Sequence, residues 1–324
     1  MNDFFAPKPK ENEAWDAAII GSGPAGLTAA IYLTRGAAST VLFAGDQWGG
    51  QLMLTTQVDN YPGFPEGILG PDLMDKMRSQ AARFGTEIIE QNATSLEKKD
   101  KIFIIKAGEK SFSSKSVIVT TGAKTRWLGI PGEDRLRGKG VSSCAPCDAP
   151  FFKDKKVAVI GGGDSAMEEA LVLTKYASKV FIIHRRNEFR ASQAMQEKVF
   201  SNKKINVIWN SEVIEFLGED KLREAKIKNN ETKKIEQMGI EGAFVAIGHD
   251  PASEIFKGIL ELDEKGYVKK FEKDGFKTAT SQKGIFVAGD VHDYHYRQAV
   301  TAAGFGCMAA MDTLNYLDKD TPSW

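Results

Sequence analysis

Cys144 and Cys147 are separated by Ala145 and Pro146, and of all the residues in the chain they are the pair best suited to chemistry. Cys-x-x-Cys spacing fits a redox dithiol, because a near-neutral thiolate attacks and the short loop closes to a disulfide. The same spacing supplies half of a zinc site. Zinc needs two further ligands, and only Cys307 and four histidines remain, none paired at metal-ligand spacing, so no metal is expected. Two inert buried thiols are the plainer reading. Asp148 follows directly, either a carboxyl placed to exchange protons with a sulfur or a solvated loop acid.

Two glycine-rich turns come next. Gly21-Ser22-Gly23-Pro24-Ala25-Gly26 follows the apolar run Asp16–Ile20 and opens a helical stretch to about Arg35. In G-x-G-x-x-G the first glycine permits the tight turn. The second lets backbone N–H groups approach a pyrophosphate, and the third lets helix and strand pack closely. A ribose-binding acid about 20 residues on is the usual companion. Here the next strand ends at Phe43 and Ala44, and Asp46 is the nearest carboxylate. The second turn, Gly161-Gly162-Gly163-Asp164-Ser165-Ala166, lies between Val157–Ile160 and a helix through about Tyr176, with alanine in the third place. Its second strand runs into His184-Arg185-Arg186, with Arg190 one helical turn further. Arginines there accommodate a 2′-phosphate, which favours NADPH over NAD; a basic surface loop is the bland alternative. Gly289-Asp290 ends another apolar strand, where an acid suits a flavin's ribityl hydroxyls or a helix cap.

These turns require strands and helices to hold them. Each helix is followed by a short apolar strand, Thr40–Phe43 and Val180–Ile183, giving two βαβ openings. The expected fold is α/β with two Rossmann-like dinucleotide-binding domains. Leu69 to Phe84 reads as an amphipathic helix with Leu69, Leu73, Met77, Ala81 and Phe84 on one stripe. Strands are expected at Ile102–Ile105, Val117–Thr120 and Gly284–Ala288, and a final helix from about Tyr296. Crossings at Gly122–Gly132 and Ala246–Pro251 bracket the second turn. The economical layout is a domain from residues 1–127 and 252–324, with 1–14 a flexible leader, and a second domain, 128–251, inserted into it. A length of 324 residues fits two domains. Lys+Arg and Asp+Glu are 43 each, with no basic stripe of the kind nucleic-acid binders carry. No apolar run approaches the roughly 18–20 residues of a membrane span. The leader has no apolar signal segment and the cysteines number three, so a cytoplasmic protein is expected.

An ordered set of segments from Asp16 to about Leu317 resembles the low-molecular-weight, NADPH-dependent thioredoxin reductases, class II pyridine nucleotide-disulfide oxidoreductases. Besides the two turns and the Cys-x-x-Cys-Asp segment, it includes Gly49-Gly-Gln-Leu52, Asn60-Tyr-Pro-Gly63, Ala246-Ile-Gly-His249 and Ala288-Gly-Asp-Val291. Tyr296-Arg-Gln-Ala299 and Gly304-Phe-Gly-Cys-Met-Ala-Ala310 complete it. The resemblance implies FAD held by Gly21, Ser22, Gly23, Pro24, Ala25 and Gly26 of the first turn, with Gly50, Gln51, Thr55, Asn60, Ala93 and Gly122. Gly289, Asp290, Arg297, Gln298 and Ala299 would complete that site. It implies NADPH held by Gly161, Gly163, Asp164, Ser165, Ala166, His184, Arg185, Arg186, Arg190 and Gly248. Cys147 would face the flavin, Cys144 would attack thioredoxin, and Asp148 would be the acid, in a homodimer. Electrons would pass from NADPH through FAD and the dithiol to thioredoxin. Because nicotinamide and dithiol share the inserted domain, that domain would swing on its two crossings. Cys307 is expected to be a small buried apolar residue. Pro146 between the cysteines and Ala149 after Asp148 depart from the family pattern and stiffen the segment. The competing readings are a reductase of another dithiol protein or small-molecule disulfide, and a non-catalytic NADPH sensor.

Overall fold

The computed structural model describes residues 8–10 and 13–318. Of the leader expected over 1–14, residues 1–7, 11 and 12 lie outside the described residues. The chain divides into two compact units, Met1–Lys124 with Asp250–Trp324, and Thr125–His249. The fold is α/β, and each unit is built on parallel strands in the Rossmann manner.

In the first unit the sheet runs Phe271–Lys273, Phe276–Ala279, Ile285–Val287, Lys110–Val119, Trp15–Ile20, Thr40–Phe43, Glu87–Ile89. From Ile285–Val287 to Glu87–Ile89 every pairing is parallel. Parallel strands are covered on both faces, which is why Ala17–Ile20, Val41–Phe43 and Val117–Val119 are apolar without alternation and buried throughout. Two core clusters follow, one on each face. Ile19, Leu27, Leu33, Leu42 and Met74 lie in the first, and Ile20, Phe43, Phe103, Val119 and Phe256 in the second. Ala93–Lys99, Ile102–Ala107 and Lys110–Val119 form an antiparallel meander that runs into the parallel sheet. The last strand of that meander is longer than the apolar core at its end reveals.

The second unit holds a five-stranded parallel sheet in the order Val141–Ser142, Gly242–Val245, Lys156–Ile160, Lys179–Ile183, Ile205–Ile208. A three-stranded antiparallel sheet, Ser211–Leu217, Glu224–Asn229 and Ile235–Gly239, packs through Val213, Phe216, Ala225 and Ile227 on the same core as Ile160 and Val245. No spacing in the sequence announced that sheet.

Three helix expectations need correction. The amphipathic helix is Gly70–Arg83, and Leu69 stands before it, 49% exposed. Pro71 sits in its first turn and the buried stripe begins at Leu73, so Leu69 belongs to the preceding Ile68–Leu69 strand. The helix after the second turn ends at Leu173, not Tyr176, where the Tyr176 carbonyl turns away to accept the Asp154 N–H at 3.0 Å. The final helix is Ala299–Leu317, three residues later than expected, because Arg297 takes a left-handed φ of 47° that ends any upstream turn. Gln298 then caps it in a reciprocal box with Thr301.

That helix lies against Pro24–Arg35 at very short range. A Cβ at Gly306 would overlap the Ala25 carbonyl. Gly306→Ala is therefore expected to lower unfolding free energy by about 1–3 kcal/mol, seen as a lower urea midpoint at unchanged slope. An unmoved midpoint would mean that the two helices separate freely.

Candidate functional site

Gly23 has extended backbone and Pro24 takes the first helical position of Pro24–Arg35, where a missing N–H costs nothing. The N–H groups of that first turn have no intrahelical partner and lie at the positive end of the helix dipole. A Cβ at Gly21 would strike the Thr120 carbonyl, and one at Gly26 the Gly21 carbonyl. At Gly23 and Gly122 a Cβ would meet nothing within 4 Å. The turn is thus tight where it must be and open where a phosphate would approach. Ser22 serves as an internal tie, donating to the Ala44 carbonyl at 2.8 Å and accepting the Gly49 N–H at 3.0 Å.

Other residues expected at this site reach it from distant parts of the chain. Asn60 Nδ2 donates to Gln298 Oε1 at 3.3 Å across 238 residues of sequence. Gly50 and Gln51 open the short turn Gly50–Leu54, which Thr55 caps. Gly289 packs on Ala25, its Cβ position being 3.0 Å from the Ala25 methyl, beside Ala302 of the final helix. Arg297, Gln298 and Ala299 form that helix's entry. Ala93 opens its strand next to Gln91 and Asn92, which bond Gly45 and Asp46 of the loop after Phe43. Burial, with Asp293 nearby, pushes the Asp290 carboxyl up to about 7, and Arg297 opposes this. His292 is pressed down to about 4 by burial. Its Nε2 and Asp293 Oδ2 are buried with no partner among the described residues.

At the second turn a Cβ on Gly161 would meet the Ala246 carbonyl and the Ala166 methyl. The alanine in the third place thus packs against the bare backbone of Gly161. Gly163 caps the Asp164–Leu173 helix, and a Cβ there would face open space. Asp164 accepts the Ser192 N–H at 2.9 Å and its hydroxyl at 2.7 Å, and Ser165 lies in the helix's first turn. Gly248 accepts the Arg126 N–H at 3.0 Å. Residues 185–191 are not helical, so Arg190 is not one helical turn beyond Arg186. A loop returns it instead to the turn, its N–H donating to the Gly162 carbonyl at 2.8 Å. His184 is buried beneath, its Nε2 2.9 Å from the Glu188 carbonyl, and burial followed by the nearby arginines lowers its pKa. Arg185, Arg186 and Arg190 are exposed, and among the described residues no carboxylate pairs with them.

Cys144 and Cys147 are joined as a disulfide, Cα atoms 5.3 Å apart. Cys144 caps the short helix Ala145–Asp148, with Pro146 in its first turn. The departure from the family pattern therefore falls where proline is tolerated. Asp148 is the helix's last residue, partly buried, not a solvated loop acid. Burial raises its pKa, and the Ser142 hydroxyl draws it back down. Ala149 begins the tight turn Ala149–Phe152. Cys307 is half-buried, and its thiol beside the Tyr32 hydroxyl raises the Tyr32 pKa. It is not the buried apolar residue expected, since the helix turns this edge, with exposed Met308, toward solvent.

The chain matches the pyridine nucleotide-disulphide oxidoreductase family over residues 15–306. It belongs to that family. It is 50% identical over 301 residues to the thioredoxin reductase of Streptomyces coelicolor, covering 92% of each chain. It superposes on a thioredoxin reductase structure from Streptococcus pyogenes with a TM-score of 0.90 at 38% identity, covering 95% of this chain and 100% of that one. Thioredoxin reductase from Giardia duodenalis gives a TM-score of 0.90 at 40% identity, over 94% and 99%.

Pyridine nucleotide-disulphide oxidoreductases depend in general on a flavin and a pyridine nucleotide. The residues present fit both. The first unit offers open backbone at Gly23 and Gly122 and, among the described residues, unsatisfied buried polar atoms at His292 and Asp293, which native interiors rarely leave unpaired. The second offers open backbone at Gly163 and three arginines that no carboxylate pairs among the described residues. Sequence reasoning missed Ser142 and Glu169. Glu169 Oε2 accepts the Ala145 N–H at 2.9 Å, joining the second-turn helix to the dithiol helix. A serine two residues before the first cysteine is too ordinary to signal a role, and Glu169 reaches the dithiol helix only through the fold.

Asp290 supplies a pH test. Between its ordinary 3.8 and about 7 the folded chain keeps a proton that the unfolded chain has lost, so this group costs stability progressively as pH rises through that window. Below the window it contributes nothing, and above it the cost is constant. Asp290→Asn in the cofactor-free chain is expected to raise Tm by an amount that grows across the window and then levels. A gain equal at every pH would show that Asp290 is not held in its neutral form by burial.

Proposed function

We propose that the chain is a thioredoxin-disulfide reductase, drawing electrons from NADPH and exchanging them with thioredoxin through Cys144 and Cys147. The observation that carries this reading is the Cys144–Cys147 disulfide at the start of a short helix that ends in Asp148, in the unit that also carries the second glycine turn. Thioredoxin reductases named among the relatives support the partner. FAD, when bound, supplies the two-electron chemistry that links a hydride donor to a disulfide. Gly21–Gly26, Gln51, Asn60, Asp290 and Arg297–Ala299 are proposed to hold it. Gly161–Ala166 and Gly248 are proposed to hold the NADPH pyrophosphate region, with Arg185, Arg186 and Arg190 on the 2′-phosphate.

In the proposed exchange the Cys144 thiolate attacks a thioredoxin sulfur, and the other thioredoxin sulfur leaves. Cys147 then attacks Cys144 Sγ, re-forming the intramolecular disulfide and releasing thioredoxin as a dithiol. Asp148 supplies or takes the protons that sulfur gains or loses. Its partial burial supports this role, since an acid with a raised pKa still holds a proton nearer neutrality. The chain is further proposed to act in the cytoplasm as a homodimer. Val300, Met308 and Met311 on the final helix and Tyr32 on the first are exposed apolar side chains that a second copy would cover. Among the described residues no helix is long and apolar enough to cross a membrane.

The cysteine roles are tested by trapping. Cys147→Ser leaves Cys144 able to attack and nothing beside it to resolve the product. With a thioredoxin lacking its own resolving cysteine, activated as a mixed disulfide, this variant is expected to accumulate a covalent complex on a non-reducing gel. Trapping by Cys144→Ser instead would reverse the roles, and trapping by neither would remove a protein dithiol as the substrate.

A further inference from the structure

Ser142 ends the short strand Val141–Ser142, two residues before Cys144, and its side chain is buried. Its Oγ accepts the Cys144 backbone N–H at 3.0 Å and donates to Asp148 Oδ2 at 2.6 Å. The direction of the chain is set by chemistry. An amide N–H only donates, so the hydroxyl oxygen receives it, and the hydroxyl's own proton is free to go to the carboxyl. One side chain thus connects the backbone of the first cysteine to the acid that follows the second.

We propose that Ser142 is a positioning residue of the dithiol chemistry, holding the Asp148 carboxyl by Oδ2 so that the exchangeable proton sits on Oδ1. The inference rests on the reading of Asp148 as the proton-exchanging group. When a sulfur leaves as thiolate, Asp148 gives it that proton. The thiolate becomes a thiol, the carboxyl becomes a carboxylate, and the Ser142 hydrogen bond tightens onto the new charge. Ser142 therefore stabilises the form that Asp148 adopts after proton transfer, and it fixes which oxygen is free to transfer.

The surroundings leave this task to Ser142. On the second-turn helix Glu169 is engaged with the Ala145 N–H at the opposite end of the dithiol helix, Glu168 is exposed, and Asp164 is bound by Ser192. The segments Val141–Ser142 and Ala149–Phe152 carry no titratable side chain. Among the described residues no cation pairs with Asp148, so burial raises its pKa and the Ser142 hydroxyl opposes that rise. Without the hydroxyl, burial acts alone and Asp148 keeps its proton to higher pH.

The test compares Ser142→Ala, Ser142→Thr and Ser142→Val in the full-length, FAD-loaded chain. Turnover of oxidised thioredoxin with NADPH is measured across neutral and alkaline pH, beside NADPH-driven reduction of ferricyanide, which needs no cysteine. Alanine and valine are expected to lose on the order of tenfold in kcat for thioredoxin, with KM for NADPH and ferricyanide reduction unchanged. Their alkaline limb is expected to move up by about one pH unit, the worth of a hydrogen bond to a charged group. Threonine, which keeps the hydroxyl, is expected to restore both. A wild-type pH profile in alanine and valine would overturn the proposal, as would equal losses in both reactions, which mark a merely structural role. Should the alanine chain not fold, valine against threonine decides at matched shape. If the unaltered chain ignores thioredoxin yet reduces an aromatic disulfide, the partner assignment fails instead, and the same comparison on that disulfide decides the role of Ser142.

Discussion

Carbonyl oxygens occupy the space where side chains would begin at Gly21, Gly26, Gly161 and Gly306. That absence of Cβ atoms is the constraint on which the rest of the molecule depends. It lets a helix start directly at the end of a parallel strand, so that its unpaired N–H groups gather beside the strand ends. In the first unit it also lets the final helix press against the first, which carries Arg297, Gln298 and Gly289 to the same turn from the far end of the chain. The hydrogen bond between Asn60 and Gln298 then closes a site that no local segment contains.

The second unit reuses the device for a different charge. Among the described residues no carboxylate pairs with the arginines beside its turn, and the loop bearing them is fastened by the Arg190 N–H to the Gly162 carbonyl. The same unit carries the disulfide, and its turn helix reaches the dithiol helix through Glu169. Nucleotide turn and dithiol are therefore parts of one rigid framework. Polar ties at Ser142 and Glu169 hold it in register. Such ties are stable only when both partners are satisfied, which makes each of them sensitive to single-atom changes.

The features visible in the sequence are those fixed by steric need or by covalent spacing. Gly21-x-Gly23-x-x-Gly26 and Cys144-x-x-Cys147 are legible because few residue types meet their requirements. Continuous apolar runs such as Val157–Ile160 reveal strands covered on both faces. Features set by tertiary context stay hidden. Leu69 fits a helical stripe, yet the proline-started helix begins after it. Arg190 fits helical spacing but lies in a loop. The Ile235–Gly239 strand is largely exposed, so it has no apolar alternation to detect. Ser142 acts through two short-range hydrogen bonds and Glu169 through one across the fold, and neither leaves a pattern in the chain.

The central claim is that electrons from NADPH reach the Cys144–Cys147 disulfide. It is tested most directly by adding NADPH anaerobically to the FAD-loaded chain, quenching with a thiol-alkylating reagent, and locating the label by mass spectrometry. Cys144 and Cys147 are expected to become alkylated together with stoichiometric NADPH, and far more slowly with NADH. A disulfide that survives NADPH intact, while a dithiol reductant added directly opens it, would contradict the account.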